Sequence, residues 1–198
     1  MLPRALDKIL PDYEQIDVVE IDPDMVGIAK EYFFFQSNDK LKVHIKDGFE
    51  FVMSLNEAQT YDLIIMDAFE NGYCAPDVFL NSKYVSKLKE QLTSSGIISL
   101  NTLPQCVKHE QELSLYETVF DNYYISETIS SNKIFLGLKG KTPQMKQIKR
   151  NANLLQDSFT SLDINTKWIT EVFHFNKKRY YGVCDNYFFF KEILFFYQ

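Results

Sequence analysis

The sequence lacks the features that mark several large classes of protein. Its three cysteines, Cys74, Cys106 and Cys184, are widely spaced and form no CxxC pair. They therefore indicate neither a disulfide framework nor a zinc or other metal site, and a reducing, cytoplasmic location is the default expectation. No stretch reaches the roughly 18 consecutive apolar residues that span a bilayer, and no basic segment precedes an apolar one at the start. We therefore expect neither a membrane partner nor secretion.

Positive charge is also scarce. The chain has 21 Lys and Arg residues against 27 Asp and Glu, which gives a net charge of -6. This balance argues against nucleic acid as the main partner and favours a basic protein. At 198 residues, of which 45% are hydrophobic, the chain is long and apolar enough for one domain with a real core.

The pattern of the chain is alternating strand and helix. Residues 16–22 are a β-branched run that ends in acids and meets Pro23, so they predict a buried strand followed by a helix with Asp22 as its N-cap. Glu20 then lies at the carboxyl end of a parallel strand, where nucleotide-binding α/β sheets place an acid on the ribose hydroxyls. The alternative is a solvated acid beside a helix N-terminus.

Four predicted strands, at 16–21, 41–45, 61–68 and 97–100, are followed by polar residues at the same end. These are Glu20, Asp47, Asp67 and Asn101. In a parallel sheet they would lie along one edge, and the series suits adenosine plus a reacting centre. Carboxylates are also better suited to bind a cationic sulfonium than to bind the anionic phosphates of a dinucleotide. For Asp67 the alternative is a local cap of the loop that follows it.

The motifs as an ordered set resemble the class I, S-adenosylmethionine-dependent methyltransferases with a spermidine-synthase-like core. They are Val-Val-Glu-Ile-Asp-Pro at 18–23, Val-His-Ile-Lys-Asp-Gly at 43–48, Tyr-Asp-Leu-Ile-Ile-Met-Asp-Ala-Phe at 61–69 and Gly-Ile-Ile-Ser-Leu-Asn at 96–101. The chain is most similar to the methyltransferase-like group that modifies a translation elongation factor, over about residues 1–170. The resemblance implies methyl transfer to a protein amine.

The resemblance also implies a set of site residues and a fold. Glu20, with Ile21 beside it, would bind the ribose, Asp47 and Gly48 would lie at the adenine, and Asp67 would lie near the methyl donor as the catalytic residue. The implied fold is α/β, a Rossmann-like seven-stranded methyltransferase sheet with a C-terminal antiparallel hairpin, which the sequence predicts at 123–128 and 133–138. We expect a methyltransferase-like domain over residues 1–140 and a helical extension with an aromatic tail over 141–198.

Two departures from the family pattern bear on function. Aminopropyltransferases carry an Asp-Ser-Ser-Asp-Pro type sequence where this chain has Asp67-Ala68-Phe69-Glu70, which argues against polyamine synthesis and leaves it a second alternative. The family's first strand and Gly-rich loop normally begin well ahead of the ribose acid, yet only 19 residues precede Glu20. We therefore expect a chain truncated at its N-terminus, whose sheet has a gap or a rearranged centre with open edges that invite homo-oligomers.

No histidine falls in a recognised catalytic motif. His44 alternates within a strand, while His109 and His174 lie in predicted surface segments, so all three are interpreted as structural or solvated. If no side chain acts as a base, an α-amine is an easier methyl acceptor than a lysine. Its pKa is ~8 rather than ~10.4, so more of it is neutral at pH 7. The competing hypothesis is a binding or scaffolding fragment whose basic 141–150 segment and aromatic tail contact a partner.

Overall fold

A computed structural model describes residues 2–10, 12–70, 74–127, 132–141, 143–144, 146–147, 150–151 and 192–197. Five helices, seven strands and one 3-10 turn lie within these ranges. In chain order they are α1 (Leu2–Ile9), β1 (Gln15–Glu20), α2 (Pro23–Tyr32), β2 (Leu41–Ile45), α3 (Gly48–Ser54), β3 (Tyr61–Asp67), the 3-10 turn (Asp77–Phe79), α4 (Ser82–Glu90), β4 (Leu92–Thr102), α5 (His109–Val119), β5 (Asn122–Glu127), β6 (Lys133–Leu138) and β7 (Glu192–Tyr197). The predicted alternation of strand and helix is confirmed.

Polar caps set the helix starts close to the strand ends. The Asp22 carboxylate accepts from the Asp24 backbone N–H at 2.8 Å with Pro23 as the first helical residue, which confirms the predicted start of α2. Asn81 caps α4 in the same way, accepting from the Lys83 N–H at 2.9 Å. Each cap joins residues two positions apart in the chain, so it can be predicted from the sequence.

The boundary between α4 and β4 differs from the prediction. Residues 94–96, Ser-Ser-Gly, suggest a helix stop, but α4 ends at Glu90 and these residues lie inside β4. A Cβ at Gly96 would come within 2.9 Å of the Tyr61 carbonyl oxygen, and the β3–β4 register shifts between Tyr61 and Leu63. Gly96 therefore permits the close approach of two irregularly paired strands.

The seven strands form one sheet in the order β2-β1-β7-β3-β4-β6-β5. Strands β1 to β4 and β7 are parallel to their neighbours in the first five positions, and β6 runs antiparallel to both β4 and β5. The predicted antiparallel hairpin is thus confirmed as β5 and β6. The sheet is Rossmann-like, with a parallel part and one antiparallel edge pair.

The strand β7 lies among the parallel strands of the sheet. β7 lies between β1 and β3 and pairs in parallel with both, so the last described strand is the middle one of the five parallel strands, the central strand of that parallel part. The sequence of residues 192–197, Glu-Ile-Leu-Phe-Phe-Tyr, contains five consecutive apolar residues, which is typical of a parallel strand covered on both faces. The expected N-terminal truncation stays a prediction.

Two hydrophobic clusters cover the two faces of the sheet. The larger one packs α3, α4 and α5 against β3, β4 and β6, and its fully buried members include Ile64, Tyr84, Leu88, Phe120 and Phe135. The smaller one lies under α1 and includes Ile16 and Leu41. No helix among the described residues is long and apolar enough to cross a membrane.

A buried carboxylate links three strands of the sheet. Asp17 on β1 is 2% exposed, and its oxygens lie 2.7 Å from His44 Nε2 on β2 and 3.1 Å from the Tyr61 hydroxyl, which donates from β3. The Gln15 side-chain amide donates to it as well, at 2.6 Å. Because buried charges need such partners, this cluster joins β1 to β2 and to β3.

Candidate functional site

Glu20 is the last residue of β1 and is buried at the carboxyl edge of the sheet. Its Oε1 accepts from the Asp22 backbone N–H at 2.9 Å, so the chain's turn into α2 holds the carboxylate in place. Burial raises the pKa of Glu20 above its ordinary value, with hydrogen bonds from the Asp22 and Ile21 backbones acting in the opposite direction. A buried carboxylate at a strand end can accept hydrogen bonds from the hydroxyls of a ligand.

A cavity of about 250 Å³ opens beside Glu20. It lies between α1, α2 and the face of β1 and β2, and among the described residues that line it Glu20 is the acid and the others are apolar, including Val18, Val26, Phe35 and Val43. An apolar cavity with one well-placed polar group is the usual form of a small-molecule site.

Asp67 is the last residue of β3, and a neighbouring amide orients it. The Asn101 Nδ2 on β4 donates to Asp67 Oδ1 at 2.8 Å, and the Asn101 Oδ1 in turn accepts from the Asn132 amide at 3.3 Å. The sequence placed Asn101 in the series of strand ends without a role, and the structure shows that it holds Asp67. This series of hydrogen bonds holds the Asp67 carboxylate at the carboxyl edge of the sheet.

The two acids lie level with one another across the central strand. Tyr197 of β7 is in register with Glu20 on one side and with Asp67 on the other. With neighbouring strands about 4.8 Å apart, the two backbone positions are roughly 10 Å from each other. The predicted gathering of these acids at one edge is thus present in the sheet.

The remaining predicted site residues also lie near this edge. Ile45 is in register with Glu20, and Asp47 follows it two residues later as the N-cap of α3, where its Oδ1 accepts from the Glu50 N–H at 2.9 Å. Gly48 is buried as the first residue of α3, and Ile21 is 46% exposed directly after β1. Asp47 therefore has a structural task, and its assignment to the adenine stays a prediction.

Sequence reasoning missed a buried polar cluster behind the edge. The Thr102 hydroxyl, at the end of β4, donates to Glu112 Oε2 at 2.6 Å and lies 3.0 Å from His109 Nδ1. The prediction that His109 lies in a surface segment is wrong, since it is 4% exposed. Burial lowers the pKa of His109 and raises that of Glu112. The spacing of His109 and Glu112, three apart at a helix start, was the available signal.

Two loops at the same edge are cross-linked. Cys74, in the loop after β3, forms a disulfide with Cys106, in the loop after β4. The expectation of unpaired cysteines is therefore wrong for this pair, because the parallel β3 and β4 bring two distant loops together. An ion pair between Asp77 and Lys108 joins the same loops. The segments that follow Asp67 and Asn101 are thus held against each other.

Comparison with known proteins shows that this chain is similar to two enzyme groups. The family model described as the spermine/spermidine synthase domain matches residues 6–129. A polyamine aminopropyltransferase of Vibrio vulnificus is 30% identical over 157 residues, which cover 78% of this chain and 52% of that protein. The human eEF1A lysine and N-terminal methyltransferase is 38% identical over 95 residues, which cover 43% of this chain and 14% of that protein.

A solved structure gives the same fold. Human methyltransferase-like protein 13, in complex with SAH (S-adenosylhomocysteine), superposes with a TM-score of 0.62 at 31% identity, covering 69% of this chain and 65% of that one. The fold is therefore that of a class I methyltransferase. The chain spans about half the length of the aminopropyltransferase and a smaller share of the human methyltransferase that it matches.

Proposed function

Because this chain belongs to the spermine/spermidine synthase domain family, we propose that it is an S-adenosylmethionine-dependent methyltransferase that acts on a protein amine. The observation that carries the proposal is the pair of acids, Glu20 and Asp67, level across the central strand at the carboxyl edge. A cavity with an apolar lining opens beside the first of them. This arrangement suits a nucleoside at one acid and a cationic centre at the other.

The residues present fit the cofactor. Glu20 would accept hydrogen bonds from the ribose hydroxyls, and the apolar cavity beside it would suit a nucleoside base. S-adenosylmethionine, when bound, supplies an electrophilic methyl group on a sulfonium. Asp67, oriented by the Asn101 amide at 2.8 Å, would accept a hydrogen bond from the N–H of the attacking amine and so help to position it. Catalysis then comes mainly from positioning.

The acceptor that suits this site best is an N-terminal α-amine. The reaction needs a neutral amine, and an α-amine of pKa near ~8 is roughly a tenth neutral at pH 7, whereas a lysine near ~10.4 is well under a thousandth neutral. Among the described histidines, His109 is buried behind this edge and hydrogen-bonded to Thr102, and His44 is paired with Asp17, so neither is placed to act as a base. The similarity to a protein described as an eEF1A lysine and N-terminal methyltransferase supports an elongation factor as the substrate.

The acceptor hypothesis is tested with paired peptides. Peptides that begin with the N-terminal sequence of an elongation factor 1-alpha are offered with a free or an acetylated α-amine, and methylation is followed by mass spectrometry. We expect methylation of the free peptide alone. Equal turnover of the two would show that a lysine, not the α-amine, is the acceptor.

Cofactor binding is tested by calorimetric titration with S-adenosylhomocysteine. The chain should bind it saturably, Glu20→Ala should abolish binding, and Glu57→Ala, at an exposed acid in the turn before β3, should leave it unchanged. A chain that is folded yet binds no S-adenosylhomocysteine would overturn the proposal and favour the binding or scaffolding hypothesis.

A second candidate function is aminopropyl transfer. It is favoured by the match to the Vibrio vulnificus aminopropyltransferase, which extends over 78% of this chain. In that reaction a decarboxylated S-adenosylmethionine donates its aminopropyl group to a diamine. Incubation with this donor and putrescine would release methylthioadenosine if the second function holds, and methylation of a protein by S-adenosylmethionine would release S-adenosylhomocysteine instead.

A further inference from the structure

The central strand is the element that joins two parts of the sheet. On one side of β7 lie β1 and β2, and on the other lie β3, β4, β6 and β5. β7 is in register with β1 from Gln15 to Glu20 and with β3 from Leu63 to Asp67. Removing it would leave two parallel edges with unpaired backbone groups that face each other.

The connection of β7 to the rest of the chain is unlike that of the other parallel strands. β1 leads to its neighbour β2 through α2, and β3 leads to its neighbour β4 through α4. β6 ends at Leu138 and β7 begins at Glu192, so a long segment separates the central strand from the sheet that it completes. Contacts between residues far apart in the sequence cost more chain entropy to form, so the pairing of β7 is entropically more costly than that of strands linked by a single helix.

The position of β7 determines whether the candidate site is assembled. Glu20 and Asp67 belong to the two different parts of the sheet, and both are in register with Tyr197. Among the described residues, the Asp17–Tyr61 hydrogen bond also joins β1 to β3, but it lies near the amino ends of these strands. The carboxyl ends that carry the two acids are held in register through β7.

We propose that residues 192–197 are a detachable strand, that the slot between β1 and β3 accepts this strand in trans as well as in cis, and that its seating assembles the cofactor site. Strand addition is recognised mainly through main-chain hydrogen bonds, so a free peptide of the same sequence is a competent occupant. The link to the cofactor depends on the proposed function, whereas the slot itself does not.

The test uses the full chain with Leu194→Pro, which removes a backbone donor in the middle of β7. The matched control is Leu194→Val, which keeps the donor and favours a strand. Leu194 is in register with Asp17 on β1 and with Ile64 on β3, so the proline lies in the middle of both pairings and removes a hydrogen bond to one of the two strands. Two measurements are made, calorimetric binding of S-adenosylhomocysteine and amide hydrogen exchange.

We expect Leu194→Pro to lose S-adenosylhomocysteine binding and to exchange faster in β1 and β3, while the amide of Phe135 in the β4–β6–β5 part stays protected. A synthetic peptide of residues 190–198 should restore binding and protection, and a peptide of scrambled sequence should not. Leu194→Val should match the unmodified chain in both measurements.

Each other result decides against the inference. Unchanged protection and binding in Leu194→Pro would show that the slot needs no strand, and loss of protection at Phe135 would show that β7 is integral to the fold and not detachable. Local loss without rescue by the peptide would exclude binding in trans. The unmodified chain could bind no S-adenosylhomocysteine while the peptide still restores amide protection in β1 and β3 of Leu194→Pro. In that case the proposed function fails and the proposed strand slot stands.

Discussion

The disulfide between Cys74 and Cys106 should contribute a large share of the stability of this chain. The two residues are 32 positions apart in the sequence. Closing a loop of that length lowers the entropy of the unfolded chain enough to stabilise the folded state by about 3–4 kcal/mol. In a chain of this size each kcal/mol shifts the melting temperature by about 2–4 °C, so reduction should lower it by roughly 10 °C.

Scanning calorimetry with and without a reductant measures this shift, and Cys106→Ser removes the bond without a reductant. The variant should melt at the temperature of the reduced chain and should no longer respond to reductant. Cys184→Ser is the matched control, because it removes the third cysteine and should leave both the melting temperature and its response to reductant unchanged.

Thiol titration of the denatured chain provides an independent count. Before reduction only Cys184 should react, and after reduction all three cysteines should react. Three reactive thiols before reduction, or a melting temperature that does not respond to reductant, would refute the cross-link. A loss of the response in Cys184→Ser would show that the pairing involves a different cysteine.

Three further predictions concern Glu20, the Asp17 cluster and the core. Burial raises the pKa of Glu20 above 4.5. As the pH increases from 4.5 through this raised pKa, the free energy of unfolding should fall and the affinity for S-adenosylhomocysteine should rise. Urea unfolding and calorimetry at each pH measure the two trends, and Glu20→Gln should remove both. Asp17→Ala should lower the free energy of unfolding in urea by about 2–4 kcal/mol, because the Tyr61 hydroxyl loses its acceptor. In the double variant, Tyr61→Phe should lower the free energy of unfolding by less than it does alone, because the hydrogen bond is already lost. Ile64→Ala, at a fully buried position, should cost about 3–4 kcal/mol, against under about 1 kcal/mol for Ile45→Ala, which is 53% exposed; equal costs in urea would contradict the assigned core.

Local features of the fold were predictable from local residues. The start of α2 follows from the Asp22 cap and Pro23, which act within one turn of chain, and the β5–β6 hairpin follows from two apolar runs around a polar turn. The boundary after α4 was not predictable, because Gly96 is required by the approach of Tyr61 from another strand. A glycine that serves a turn and one that serves a close contact look alike in a sequence.

The candidate site was partly predictable for the same reason. A series of acids after successive strands implies one edge of a parallel sheet, so Glu20 and Asp67 could be placed together without coordinates. The Asn101 amide that orients Asp67 and the burial of His109 were not foreseeable in this way. The first depends on a contact between side chains of β3 and β4, and the second on a contact between side chains of β4 and α5.

The sequence by itself determined the family pattern, the alternation of strand and helix, and the acids at the strand ends, because each of these depends on residues close together in the chain. Only the tertiary structure decided that Cys74 and Cys106 are paired and that residues 192–197 form the central strand. The apolar run of β7 has no periodicity that specifies its neighbours. Its place is determined by the edges of β1 and β3, whose backbone N–H and C=O groups need hydrogen-bond partners. The sequence does not indicate which strand provides those partners.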